Sequence, residues 1–310
     1  MGLTTGAASD SVRDRILVYA ALVRLPNVFT APPDVLAGAA LAVASGARFG
    51  PVEVGGLALA SAFVYAGGTT LNDYFDADVD AVERPERPIP AGRVSRRRAV
   101  VLGVALLVGG VAVALAAGGF LSGVVTAALA TLVVLYDGVA KGTPLGWSVM
   151  GTTRGANVVL GTTVGGGLLT GRWWQVVLPL VVTGYVIAVT WMADDEAHGA
   201  NRTAIASVGA AATMLAVVPP AVTFAAGADL LLSAIAGCLG VAFLAVVGRP
   251  LVAAYHDPSP SVVGPAVGRS VLGLAVVQAA AATVAGLVWT GAALSCFAVA
   301  RWLSGTFDVS

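Results

Sequence analysis

Three aspartates set the chemistry this chain can do. Asp73, Asp76 and Asp80 follow Asn72 at the end of an apolar stretch, and on a helix their i, i+3, i+7 spacing lines them on one face. Like charges on one stripe repel and lower helix stability. Ionised groups at the end of a membrane segment are also expensive, so a counter-charge must offset them. Mg2+ is the natural one, because it takes one or two carboxylates and completes its shell with water and phosphate oxygens. The next residues supply the phosphate side. Residues 84–95 interleave Pro85, Pro88 and Pro90 with Arg84, Arg87 and Arg93. The prolines keep the backbone out of a helix, and guanidinium forks match phosphate oxygens two at a time. Acids for a metal beside arginines for phosphate are what a diphosphate leaving group requires. Arg96, Arg97 and Arg98 read instead as a headgroup anchor.

A second acidic set, Asp194, Asp195 and Glu196, precedes His198, Arg202 and Thr203. Asp194 and His198 are i, i+4 and share a helical face. Asp194, with Asp195 or Glu196, is a candidate for a second metal. His198 has three readings: a ligand or phosphate contact, though imidazole is softer than Mg2+ prefers, a base acting on an acceptor, or a structural group. Lys141, the only lysine, follows Tyr136 and suits either a phosphate point charge or an interfacial anchor. Arg154 and Asn157 are i, i+3 inside an apolar stretch. A charge there faces the bundle interior, toward substrate or toward an internal acid. Asp34, beyond Arg24 and Asn27, is either functional or a paired helix cap.

Membrane helices must carry these groups. Of 310 residues, 57% are hydrophobic and 11% charged, with mean hydropathy +0.88. Soluble domains carry about 25% charge. This composition excludes most soluble enzymes, disordered scaffolds and nucleic-acid binders, and the zero net charge gives no global field to draw an acidic partner. The 39 glycines suit close helix packing in lipid. Cys238 and Cys296 read as structural thiols. At about 20 apolar residues per span, the chain predicts an all-α bundle of nine transmembrane helices. They fall near 28–46, 52–72, 97–117, 120–136, 147–170, 173–193, 205–226, 229–248 and 271–299. The first carries Pro32, Pro33 and Asp34 and is kinked or preceded by an interfacial helix over 11–25. Residues 1–14 read as a disordered tail and 15–310 as a single domain. With this count, all of the 17 basic residues except Arg48, Arg172 and Arg301 fall on one side. That asymmetry puts the N-terminus and the acidic loops in the cytoplasm of a multi-pass cell-membrane protein. Nearly all the acids share the same face.

Residues 72–95 resemble the first signature of the UbiA superfamily of intramembrane prenyltransferases, an Asn-Asp-x-x-Asp-x-x-x-Asp run followed by an Arg-Pro loop. Asn72, Asp73, Asp76 and Asp80 match it in turn, as do Arg84, Pro85, Arg87, Pro88, Ile89, Pro90 and Gly92. At the second motif the family resembles Asp-x-Glu-x-Asp. Asp194, Glu196 and Thr203 match, while His198 stands where the last aspartate would be. The altered second motif, in combination with the first and fifth spans, resembles a subgroup called EboC-like. Tyr136 with Lys141 resembles the family's diphosphate-side pair, and Arg24, Asn27 and Asp34 its acceptor side.

The resemblance implies a nine-helix fold and an Mg2+-dependent transferase of prenyl groups. In it Asp73, Asp76, Asp80 and Asp194 are catalytic and, with Glu196, hold metal. Asn72, Arg87, Arg93, Tyr136, Lys141, Arg154, Asn157, Asp195 and His198 bind substrate. The partners it implies are an isoprenoid diphosphate, a small acceptor (aromatic or other) and the bilayer. Terpene cyclisation and transfer to a sugar-like or phosphorylated acceptor are alternatives within the superfamily. A non-catalytic transporter is the rival class, since intramembrane acids and arginines also bind coupling ions. The chain shows no clear internal repeat of the kind transporters carry.

Overall fold

No proline or glycine interrupts residues 7–23. In the computed structural model, which describes residues 4–194 and 201–306, helix α1 (Thr4–Leu22) runs through them. Helix α1 thus covers residues 4–14 of the segment expected as a disordered tail over 1–14. Arg24 then takes a left-handed conformation (φ 50°) and starts a single turn, α2 (Leu25–Val28). Next come α3 (Pro32–Ala44) and α4 (Pro51–Phe75), each opening on a proline. Proline at the first helical position gives up no internal hydrogen bond. A short α5 (Ala77–Glu83) and the Arg-Pro loop lead to α6 (Arg96–Leu135), which ends in a π-helical turn over Tyr136–Ala140.

A straight helix of α6's length would reach about 60 Å at 1.5 Å per residue, twice the hydrocarbon core. Gly119 (φ 78°, ψ −168°) folds it instead. A Cβ on Gly56 would meet Ala117 and one on Gly67 would meet Leu107, whereas one on Gly68 would meet Val133. The two arms therefore lie along α4 in opposite directions, as the expected spans at 97–117 and 120–136 require.

α7 (Pro144–Thr162) follows, then α8 (Trp174–Asp194), α9 (Arg202–Ala225), α10 (Leu230–His256), α11 (Pro260–Ala282) and α12 (Leu287–Thr306). The expected span at 147–170 stops at Thr162, and that at 229–248 continues to His256. The ninth expected span, 271–299, is two helices. A 3-10 turn and Gly286 (φ 108°) separate α11 from α12. The sequence hides this break because both sides are equally apolar. Among the described residues, eight helices are long and apolar enough to cross a membrane. One of these runs through the Gly119 fold and is counted once, and the more polar α7 is not among them, so the exact count of nine is not confirmed.

α12 doubles back along the bundle. Trp289 at its start packs edge-on to Phe49, just before α4, with centroids 5.9 Å apart, while the helix also reaches α2. Arg301 therefore moves to the end where α4 finishes, which leaves only Arg48 and Arg172 among the basic residues at the other end. At the centre, α3 and α7 cross almost backbone to backbone. A Cβ on Gly38 would lie 2.0 Å from the Val158 carbonyl, and one on Gly161 would lie 2.1 Å from that of Val35. This is the close approach that small residues permit in lipid.

Candidate active site

The three aspartates do not sit on one unbroken helix. α4 ends at Phe75, and Asp76 caps it with its N–H on the Asn72 carbonyl before α5 resumes. The break divides the stripe. Asp73 and Asp80 are both 4% exposed. Arg87 bridges them, at 2.6 Å to Asp80 and 3.4 Å to Asp73. Arg24 adds a 2.8 Å pair to Asp73 and reaches Asn72 at 3.3 Å. Asp76 turns the other way, into a cavity of about 500 Å³, where the Lys141 ammonium bonds it. Asn72 donates to Asp137 at 3.0 Å. Asp137 also faces the cavity, within the fields of Lys141 and Asp76.

The cavity mouth thus combines Arg24, Arg84, Arg87 and Lys141 with Asp76 and Asp137. Its walls below are Val64, Leu129, Val133 and Met150. Tyr136 lines it and stands in the combined field of Asp137, Asp194 and Asp76. Asp194 is held by the Trp147 indole N–H at 3.1 Å, and Trp147 stacks on Trp191 with centroids 5.5 Å apart. Asp195, Glu196 and His198 lie outside the described residues. Further in, Arg154 pairs with Asp34 at 3.2 Å and donates to the Thr30 carbonyl, so the internal acid left open by the sequence is Asp34. Asn157 bonds the same carboxylate at 3.0 Å.

Not every expected site residue converges. Arg93 is exposed and donates to the Glu86 carbonyl, away from the cavity. Asp73 and Asp80 fasten arginines and do not line the cavity. Arg24, Arg84 and Asp137 also line it, and of these Asp137 is the one for which the sequence offered no binding role. Gln278, which bonds Asp34 at 2.8 Å, gave no signal at all, being one amide in a run of alanines.

Among the described residues, no three His, Cys, Asp or Glu side chains form a ready-made metal cage. Mg2+ does not need one, because it usually binds through one or two carboxylates plus substrate phosphates. Asp76 and Asp137 are hard-oxygen donors lining the same cavity, so the residues present fit that ion.

The sequence pattern of the UbiA prenyltransferase family matches residues 34–262, most of the chain and all of this cavity's main helices. The chain belongs to the UbiA prenyltransferase family. Among its relatives, the digeranylgeranylglyceryl phosphate synthase of Methanopyrus kandleri is 43% identical over 117 residues, 38% of this chain and 40% of that one. The same-named protein of Methanoregula boonei is 32% identical over 188 residues, 56% of this chain and 64% of that one. The chain thus matches less than two thirds of the length of these relatives. UbiA-type solved structures share the fold. A structure of digeranylgeranylglyceryl phosphate synthase superimposes with TM-score 0.63 at 18% identity, covering 88% of this chain and 99% of that one. A UbiA homologue from Archaeoglobus fulgidus bound to GPP and Mg2+ gives 0.57 at 16%, covering 85% and 99%.

Proposed function

We propose that this UbiA family member is an Mg2+-dependent intramembrane prenyltransferase that ionises an isoprenoid diphosphate and passes the prenyl group to a small acceptor. One observation carries the reading: a single cavity holds cations and carboxylates at its mouth and hydrocarbon walls behind them. Lys141, Arg84, Arg87 and Arg24 offer fixed positive charge to diphosphate oxygens, ready before the leaving group departs. Asp76 and Asp137, oriented by Asn72, would hold Mg2+. When bound, the ion neutralises charge on the leaving diphosphate. Asp73 and Asp80 act through Arg24 and Arg87, which they hold in place. Asp194, whose charge reaches Tyr136, supports a role for the second motif, with Asp195, Glu196 and His198, at the same diphosphate.

Breaking the C1–oxygen bond releases pyrophosphate with the electron pair and leaves an allylic cation. The walls at Val64, Leu129, Val133 and Met150 enclose the tail and keep out the water that would quench the cation. The relatives' name points to a glyceryl phosphate as one acceptor of the required size. The basic residues gathered around the mouth support a cytoplasmic active site and N-terminus in a multi-pass cell-membrane protein.

Purified protein incubated with radiolabelled geranyl diphosphate and Mg2+ tests the reading. The expected result is pyrophosphate release that is lost in Asp76→Ala and with EDTA. Intact diphosphate throughout, or ion-driven uptake of it into vesicles, would overturn the enzyme in favour of a transporter.

A further inference from the structure

The acids around the cavity are fixed by two kinds of donor. Arg24 and Arg87 neutralise Asp73 and Asp80, and Asp76 shares its charge with Lys141. Asp137 and Asp194 accept instead from uncharged N–H groups, the Asn72 amide at 3.0 Å and the Trp147 indole at 3.1 Å. Among the described residues, no lysine or arginine forms an ion pair with Asp194. A neutral donor orients a carboxylate and leaves its charge available to a metal ion, which is the part hydrogen-bonding partners play behind metal ligands. Tyr136, a cavity residue, stands in the field of Asp194, so the held carboxylate is near the cavity.

The donor is itself rigidly placed. An indole carries one N–H and no acceptor. It therefore engages one carboxylate oxygen, Asp194 Oδ2, and leaves the other for a ligand. The ring plane is set by the stack on Trp191, with centroids 5.5 Å apart and planes 23° from parallel. Trp191 precedes Asp194 by one helical turn, on the same face of α8. That face thus supplies both the ring Trp147 packs on and the carboxylate it bonds. At its other end Trp147 belongs to the first turn of α7, which Thr143 caps by accepting from the Gly146 N–H. A Cβ on Gly146 would lie 2.3 Å from the Ala140 carbonyl oxygen, so α7 starts hard against the π-helical turn. One short segment, 141–147, therefore reaches both acidic motifs: Lys141 bonds Asp76 in the first and Trp147 bonds Asp194 in the second.

We infer that Trp147 is a positioning residue for the divalent ion, its N–H holding the Asp194 carboxylate charged and oriented as Asn72 holds Asp137. The inference deepens the transferase reading and rests on its metal ion. A packing role would need only the ring of Trp147, whereas this role needs the N–H.

Trp147→Phe keeps a ring for Trp191 and removes the N–H. Mn2+ is titrated by electron paramagnetic resonance into the full chain in lipid nanodiscs, with non-hydrolysable geranyl thiodiphosphate present. The expected result is an Mn2+ affinity lowered about tenfold or more in Trp147→Phe. Asp194→Asn should lose at least as much, and the double variant should lose no more than Asp194→Asn, because both changes act on one carboxylate. If Trp147→Phe does not fold, naphthylalanine introduced at position 147, bicyclic and without an N–H, takes its place. The inference is overturned if Trp147→Phe lowers the unfolding midpoint and leaves Mn2+ affinity at the wild-type value, if Asp194→Asn binds Mn2+ like wild type, or if the two losses multiply in the double variant. Wild-type protein that binds Mn2+ and leaves geranyl diphosphate intact would instead overturn the transferase reading, with Trp147 still judged on the titration.

Discussion

Lys141 bonds Asp76 across 65 residues of sequence, joining the turn after α6 to the break between α4 and α5. The pair closes one side of the cavity mouth. It also places a cation and a carboxylate at one spot, where a phosphate and its metal ion would need them. Replacing Lys141 with Gln keeps much of the side chain's length and removes its charge. The expected outcome is a KM for geranyl diphosphate raised about tenfold or more, since a hydrogen bond to a charged group is worth about 1.5–3 kcal/mol. Steady-state kinetics on detergent-purified protein check it.

Arg87 is a clamp before it is a ligand. Its side chain is 11% exposed and those of Asp73 and Asp80 are 5%, so removing it strands the buried Asp80 carboxylate and leaves Asp73 to Arg24 alone. Breaking such a pair costs about 3–5 kcal/mol. Arg87→Ala should therefore lower the thermal unfolding midpoint as well as activity. Arg87→Lys, which keeps the charge and loses the fork, should recover part of the stability.

The crossing of α3 and α7 admits no side chain. Gly161→Val would drive a branched side chain into the backbone of α3, since even its Cβ would lie 2.1 Å from the Val35 carbonyl. Loss of folded, monodisperse protein in size-exclusion chromatography is expected. Gly184→Ala, where nothing lies within 4 Å of an added Cβ, should be tolerated.

Removing divalent ions should abolish pyrophosphate release without unfolding the chain. The buried acids of the first motif keep their arginine partners in the absence of metal. An unfolding curve unchanged by EDTA, with activity restored by Mg2+, is the expected pattern.

Much of this site was legible in the sequence because it is local. The run 72–80 and the Arg-Pro loop are contiguous, and their residue types alone specify acids beside arginines. The Gly119 fold could be read because one unbroken helix would be too long for a bilayer. What could not be read is which cation each acid faces. Arg24 reaches Asp73 across 49 residues and Asn72 reaches Asp137 across 65, and no period or propensity encodes such pairings. The break at Asp76 was missed for a related reason, since i, i+3, i+7 spacing assumes a continuous helix. The split between α11 and α12 was hidden because hydropathy is blind to the backbone angle of one glycine, Gly286.

The central claim is that a metal-bound diphosphate sits between Asp76, Asp137 and Lys141. Anomalous scattering from crystals grown with Mn2+ and a non-hydrolysable geranyl thiodiphosphate tests it most directly. The account predicts a manganese peak within bonding distance of an Asp76 or Asp137 carboxylate oxygen, with diphosphate oxygens completing its shell beside Lys141. A manganese peak elsewhere, with the diphosphate outside this mouth, would contradict it.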